Sequence, residues 1–530
     1  MGSSSGLPVP IDQFGTLKHL GLRLRRLYGE GRYEEVLELA DEYLWIAEAF
    51  GDRESARSVV QSYSYALTEL GRYAEAEAMS WDLLRRAVSR VGQAKANADM
   101  ADVMSRMGRL EEGLHKLAAA MTVLESCPRD SWYYAAMSSV AEAARWAELY
   151  ELADHATTAE PRPDTIEHSR RVIRDLQRAE ALLEWGLRLD HVGRLEEAGV
   201  RFRDVIALTR PWLDADADPD SLLGSDQAML GALLACGLAK TGAAEEARAL
   251  AVAVIPDLHA DGRLFDARLA HLAYGVALRS IGEYDAAARE LIAAEQLCAL
   301  AGAVRHRLIF QFELALVAAQ SEPSQATRHL MAGLRAHAEQ LWQLRLDRVA
   351  MLRQASRRVQ LEADHASADT AAQTDPLTRL ANRRGFDRRM ANLTGDARTV
   401  NEQVCLLLVD LDNFKQINDG FSHGVGDAVL REIGHILRTE CRASDLPARF
   451  GGDEFGVFLA ADPATAARIA ARMRTVIRGH DWHRIALGLR VTVSMGLAQL
   501  QPAMTSEDWF DAADKHLYLA KRAGRDRLAA

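Results

Sequence analysis

The sequence predicts a multidomain chain: an all-α helical-repeat solenoid, then a connecting helix, then an α+β domain. Three observations carry that prediction. A glycine-centred phrase recurs through the first part of the chain, a long stretch without Gly or Pro follows it, and apolar runs that end in acids close the sequence. Those features set the expected boundaries at 1–10 for an N-terminal tail, 11–335 for the repeats, 336–372 for the connector and 373–530 for the last domain.

Composition excludes several classes first. The chain has 530 residues, enough for about three cores, with 48% hydrophobic and 26% charged residues. No apolar run approaches the ~18 residues that would cross a bilayer; the greasiest, Arg307 to Gln320, is broken by Gln311 and Glu313. The N-terminus lacks a basic-then-apolar leader, so membrane insertion is not expected and a cytoplasmic location is. Met1–Pro10, native or a cloning remnant, is expected to be disordered. The five cysteines (127, 236, 298, 405 and 441) are odd in number, far apart and without metal-ligand spacing, as expected of small hydrophobes in a reducing compartment. A net charge of −11 argues against a nucleic-acid partner.

The repeats come first in the chain. Apolar residues recur at helical spacing, as in Tyr33, Val36, Leu37, Ala40, Tyr43 and Leu44. The phrase Gly31-Arg32-Tyr33-Glu34-Glu35 returns as Gly71-Arg72-Tyr73-Ala74-Glu75, Gly108-Arg109-Leu110-Glu111-Glu112 and Gly193-Arg194-Leu195-Glu196-Glu197, and more loosely at Gly242 and Gly282. Each copy reads as a glycine C-cap that turns one helix into the next. The glycines lie 40, 37, 85, 49 and 40 residues apart, and the long gap fits two units with a degenerate phrase between them. A period near 40 means stacked helical pairs. The wording resembles tetratricopeptide repeats with lengthened helices. The resemblance implies a surface that binds a protein, a peptide or a small molecule; the alternative is a dimerisation scaffold. His115, His155, His168 and His191 show no paired ligand spacing and read as surface or groove residues. Segments 161–164 and 214–219 read as loops.

In the connector, Trp342, Leu346, Val349, Leu352, Ala355, Val359, Ala363 and Ala366 advance by three or four residues, close to a coiled-coil seam. The expectation is a helix that pairs with its twin in a homodimer. One more solenoid helix packed on its neighbour is the competing reading.

The last domain carries the chemistry. Pro376 should stop the connector and Asn382 should cap the next helix. The run Val404 to Val409, leading into Asp410-Leu411-Asp412, reads as a buried strand with carboxylates at its C-terminal edge. Asp410 and the Leu411 carbonyl suit a metal ion, and Lys415 suits a phosphate. Helices follow from about Val425 to Cys441, Pro463 to Ile477 and Asp508 to Lys521, with a strand from Leu489 to Leu497. Between them, Ala448 to Leu459 reads as a hairpin with its tip at Gly451-Gly452, where backbone can approach a phosphate, followed by the acids Asp453 and Glu454. Adjacent acids at such a tip suit a divalent cation. Lys521 and Arg525 lie one helical turn apart and can reach a triphosphate tail together.

These stretches, Thr374 to Phe386, Asp410 to Asp427 and Phe450 to Phe455, resemble the GGDEF family of diguanylate cyclases over the last ~160 residues. The resemblance implies a nucleotidyl-cyclase-like, ferredoxin-like α+β core. It implies condensation of two GTP into cyclic di-GMP between two facing domains, with Mg2+ or Mn2+ on Asp410, Leu411, Asp453 and Glu454. It makes Asn418, His423 and Asp427 the readers of base and ribose, and gives Lys415, Lys521, Arg525 and the two glycines to the phosphates. Either Asp453 or Glu454 would take the proton. Arg442 and Asp445 match the family's inhibitory site for cyclic di-GMP. Ser422 stands where the family has glycine, and Asp526 where it often has asparagine. The rival reading is a non-catalytic module that senses GTP or cyclic di-GMP and acts as a scaffold through the repeats.

Overall fold

The computed structural model describes residues 16–158, 168–214, 224–260, 263–300, 304–395 and 403–530. The expected N-terminal tail and the loops expected at 161–164 and 215–219 lie outside these residues. The chain divides into two compact units, Met1–Leu361 and Glu362–Ala530.

Among the described residues the first unit is built of helical pairs. These are α1 (Lys18–Gly29) with α2 (Tyr33–Ala49), α3 (Arg53–Glu69) with α4 (Tyr73–Arg86), α5 (Arg90–Arg106) with α6 (Leu110–Leu124), and α7 (Ser131–Trp146) with α8 (Tyr150–Thr158). They continue as α9 (His168–His191) with α10 (Leu195–Leu213), α11 (Gly224–Lys240) with α12 (Ala244–Ala260), α13 (Leu264–Ser280) with α14 (Tyr284–Leu300), and α15 (Val304–Ser321) with α16 (Gln325–Ala372). The recurring phrase has a physical explanation. Gly31, Gly71, Gly108, Gly193, Gly242 and Gly282 all take positive φ, between 73° and 92°, which ends one helix and redirects the chain. The arginine after four of these glycines grips the glutamate three residues on at 2.5–2.7 Å (Arg32–Glu35, Arg72–Glu75, Arg109–Glu112, Arg194–Glu197). These pairs are exposed, so each contributes only a few tenths of a kcal/mol, and their role is to order the turn. The degenerate phrase in the long gap is found at the α7–α8 turn, where Glu148 takes φ 59° in place of a glycine.

Alanine and leucine fill the space between helices, and charge fills the rest. Lys95 on α5 meets Tyr65, Asp99 and Ser139. Arg145 on α7 bonds Glu142 at 2.5 Å and Glu184 at 2.6 Å. Glu313 on α15 is fully buried and is held by Lys240 on α11 and, at 3.5 Å, by Arg279 on α13. Those cations hold its carboxyl far below the ordinary range. Because α15 lies over α9, His191 is buried and stacked on Phe312 at 4.0 Å, so of the two expected placements, surface or groove, it is not at the surface. Burial keeps its imidazole pKa low.

α16 begins at Gln325, eleven residues before the expected connector, and runs unbroken for 48 residues. Its first half is a repeat helix. Trp342 is buried in the core of α9–α15, and Val349 and Leu352 pack on the core of α5–α9. Trp342, Val349 and Leu352 of the expected seam are therefore spent inside the unit, whereas Leu346 is 42% exposed and Leu361, further along, 68%.

In the second unit, α17 (Arg383–Gly395) is capped by Asn382, which accepts from the Gly385 N–H at 3.1 Å. After it come β1 (Cys405–Leu411), α18 (Phe414–Gly420), α19 (His423–Glu440), β2 (Leu446–Arg449), β3 (Glu454–Leu459), α20 (Pro463–Gly479), β4 (Val493–Gln499), α21 (Ser506–Arg522) and β5 (Leu528–Ala529). The sheet order is β2-β3-β1-β4-β5, antiparallel except for β4 with β5. β1 is central and buried throughout. Leu407 and Val409 face α19 and α20, while Leu406 and Leu408 face α17 and α21. β4 starts four residues later than expected. Leu489 and Val491 are buried, but the β1 ladder reaches only to Leu411 opposite Val493, so they have no strand to pair with.

Candidate active site

The site forms where β1 ends beside the β2–β3 hairpin. Asp410 and Glu454 are cross-strand partners, which puts both side chains on one face, and the Leu411 N–H donates to the Asp453 carbonyl at 3.3 Å. Burial pushes the Asp410 carboxyl above its usual range, and the charges of Asp453 and Glu454 push it further. Lys521 opposes this from α21, with Nζ 2.7 Å from Asp410 Oδ2.

Two glycines make this geometry. A Cβ at Gly451 would stand 2.2 Å from Glu454 Oε2, the far end of an exposed side chain, so it would push that carboxylate aside. A Cβ at Gly496 on β4 would stand 2.2 Å from the Ala513 carbonyl and 2.3 Å from the Leu517 nitrogen. That bare spot lets α21 lie directly on the sheet, one turn before Lys521. Gly452, by contrast, has open space around its Cα.

Asn418 on α18 packs against the start of α19, where a Cβ at Gly426 would meet its Oδ1 at 2.0 Å. His423 and Asp427 follow on α19, both exposed, and Ser422 caps that helix by accepting from the Val425 N–H. Lys415 is exposed on α18, and Arg525 is exposed just past α21 with φ 60°. Arg442 and Asp445 form the turn between α19 and β2. The Asp445 carboxylate accepts the Arg442 N–H at 2.9 Å and the Ala460 N–H at 3.1 Å, and the Arg442 side chain is exposed. The structure thus brings Asp410, Asp453, Glu454 and Lys521 together. The other expected residues stand on the elements that surround this group.

The donors Asp410, Asp453, Glu454 and the Leu411 carbonyl are all oxygens, the set a hard divalent cation takes. A cation here would also relieve the crowded negative charge that raises the Asp410 pKa. The residues therefore fit such an ion, although among the described residues no three acidic, His or Cys side chains already converge on one point.

Three supporting residues escaped the sequence reading. Asp412 is buried and accepts from Ser494 Oγ (2.6 Å), Thr492 Oγ1 (2.8 Å) and the Asp526 N–H (3.0 Å). It ties β1 to β4 and to the segment after Lys521. Arg449 donates twice to the Gly452 carbonyl (2.9 and 3.1 Å) and pairs with Asp375 at 3.2 Å. Asp375 in turn accepts from the Thr378 N–H and hydroxyl, so the entry segment holds the hairpin tip from behind. The available signal was a second acid two residues after Asp410, and an Asp-Pro-Leu-Thr turn whose acid had no assigned partner.

Residues 372–527 match the family model described as diguanylate cyclase, GGDEF domain. The chain is 40% identical over 158 residues to diguanylate cyclase DgcP of Pseudomonas aeruginosa, covering 30% of this chain and 24% of that protein. It is 35% identical over 156 residues to diguanylate cyclase DgcS of Shewanella oneidensis, covering 29% of this chain and 51% of that protein. The chain thus spans between a quarter and a half of the length of these curated relatives. Among solved structures, the coiled coil and GGDEF domain of DgcB from Caulobacter crescentus, in complex with c-di-GMP, is similar at 28% identity and a TM-score of 0.31, covering 34% of this chain and 97% of that one. No helix among the described residues is long and apolar enough to cross a membrane. The likeness to the GGDEF family lies within residues 372–527.

Proposed function

We propose that the chain is a diguanylate cyclase that condenses two GTP into cyclic di-GMP and two pyrophosphates between two GGDEF domains. The observation that carries this reading is the pairing of Asp410 with Glu454 across two strands, with Asp453 next to Glu454 and Lys521 on Asp410. In each of two attacks, a ribose 3′-oxygen bonds to the α-phosphorus of the other GTP. The bond from that phosphorus to the β-phosphate bridge breaks, and pyrophosphate leaves with the electron pair. Bound Mg2+ or Mn2+ would supply charge neutralisation on the phosphates and acidify the 3′-hydroxyl. Asp453 or Glu454 takes the hydroxyl proton. Lys415, Lys521 and Arg525 balance the charge on the phosphate oxygens, and the bare backbone at Gly451-Gly452 lets phosphate come close. Asp427 accepts from guanine N1–H and the 2-amino group, which adenine does not offer, and Asn418 and His423 complete the base and ribose contacts.

Regulation completes the proposal. Cyclic di-GMP bound at Arg442 and Asp445 holds two domains apart, and the repeat unit controls their meeting through α16, whose exposed lower half pairs with its twin. The test is incubation of the purified chain with GTP and Mg2+, with the nucleotide product read by mass. Cyclic di-GMP from the wild type and none from Asp453→Ala is expected. GTP left intact by the wild type over a range of protein concentrations refutes the reading.

A further inference from the structure

The first unit contains a cavity of about 120 Å3 between the end of α9, the α7–α8 turn and α16. A single water needs roughly 10–15 Å3 on the same scale, so the space admits a molecule of about ten heavy atoms. Its polar wall is mostly cationic: Arg188 from α9 and Arg345 and Arg348 from α16, against Glu148. Glu148 accepts from both Arg188 and Arg348, and Glu151 takes a bond from Arg345, so three guanidiniums share two carboxylates. His191 also lines the space, and burial lowers its imidazole pKa. Trp342 supplies an apolar wall.

Arg345 is the informative residue. Its side chain is 2% exposed; Nε donates to the Glu148 carbonyl at 2.9 Å and Nη2 to Glu151. Nη1 is buried, and among the described residues it meets no acceptor. A guanidinium nitrogen withdrawn from water without an acceptor is costly unless something supplies one. The neighbouring turn is unusual in the same place. Where six other pairs turn at a glycine, this one turns at Glu148 in the left-handed region, and its backbone and carboxylate serve the arginines. Strain retained at a position where a glycine would relieve it is the kind that a bound ligand accounts for.

We propose that this cavity binds a small anion, a carboxylate or phosphate, that pairs with the guanidiniums of Arg188, Arg345 and Arg348 lining it and bridges α16 to α9. The inference concerns the first unit alone and stands whether or not the chain makes cyclic di-GMP. Because Arg345 and Arg348 belong to α16 and Arg188 to α9, occupancy fastens the middle of α16 to the repeats.

The test uses the purified full chain with citrate, succinate and inorganic phosphate, at ionic strength matched with chloride. Calorimetric titration is expected to give saturable binding, one anion per chain, with a submillimolar Kd for at least one probe. Amide hydrogen exchange over 338–352 should slow at least tenfold on saturation. A response to citrate or succinate identifies an organic acid as the class, and a response to phosphate alone identifies a phosphate. Arg345→Lys, which keeps the charge and loses Nη1, should weaken binding at least tenfold. Ala338→Trp, which fills the cavity and leaves every arginine in place, should abolish binding without lowering the unfolding midpoint of the ligand-free protein. No binding beyond the chloride control by any of the three probes, or full affinity in either variant, overturns the proposal.

Discussion

The most telling substitution in the second unit is Gly496→Ala, because it adds one carbon far from any charged group and acts on the site through a helix. The new Cβ would lie 2.2 Å from the Ala513 carbonyl and 2.3 Å from the Leu517 nitrogen, both backbone atoms of α21. Neither can rotate away, so the helix must retreat by about 1 Å to restore ordinary contact. Overpacking of this kind costs about 1–3 kcal/mol, which at about 2–4 °C per kcal/mol for a unit of this size lowers the unfolding midpoint by roughly 2–12 °C. The functional effect should be larger than the stability effect. Lys521 sits one turn beyond Leu517, and its 2.7 Å contact with Asp410 breaks if the helix moves by that amount. Misplacing a charged group by about 1 Å commonly costs about a hundredfold in rate. The assay is cyclic di-GMP formed from GTP and Mg2+ at a temperature well below both midpoints, with scanning calorimetry run in parallel. A Gly496→Ala chain that keeps both the wild-type rate and the wild-type midpoint would show that α21 does not need the bare strand.

Other expectations follow from the same contacts. Asp412→Ala strands two hydroxyls and a backbone N–H, so urea unfolding should show a loss of about 3–5 kcal/mol in the second unit. Arg449→Met removes the grip on the Gly452 carbonyl. Exchange of the amides at 450–454 should quicken severalfold while the rest of the sheet keeps its protection, and unchanged exchange there would count against the clamp. In the first unit, burial raises the Glu180 carboxyl to about 7, and Asp102 to about 6. A raised acid binds its proton more tightly folded than unfolded, so it contributes stability below about pH 4.5 that is lost as pH climbs through 6 to 7. Glu180→Gln should therefore stabilise the repeat unit by up to about 3 kcal/mol at pH 8 and by little at pH 5, read as the shift in thermal midpoint. Glu313 runs the other way. Its depressed pKa supplies stability that disappears below about pH 4, so Glu313→Gln should flatten the acid side of the curve.

Much of the fold is legible in the chain because its signals are local. A glycine that must take positive φ, an arginine that reaches a glutamate three residues on, and an apolar run that ends in acids each need only a few neighbours in sequence. The hairpin tip and the central strand fall into the same class. The start of α16 does not, because helical periodicity continues without a break from Gln325 and gives no hint of which turns are covered by other helices. His191 reads as a surface or groove residue until α15 is laid over it. Asp412, and the Arg449–Asp375 pair that joins the entry segment to the hairpin, were illegible as supports because those contacts reach across 74 to 114 positions. Only the sheet brings them into reach.

The turn between α7 and α8 departs from the rule that six of the other pairs obey. Holding a glutamate in the left-handed region at 148 costs about 1 kcal/mol or more, and a glycine there would remove that burden. The same exchange would release Arg188 and Arg348 from their shared carboxylate. A smoother solenoid would then be a looser one where charge fastens the long helix to the repeats, so the irregular joint is where the array gives up uniformity for grip.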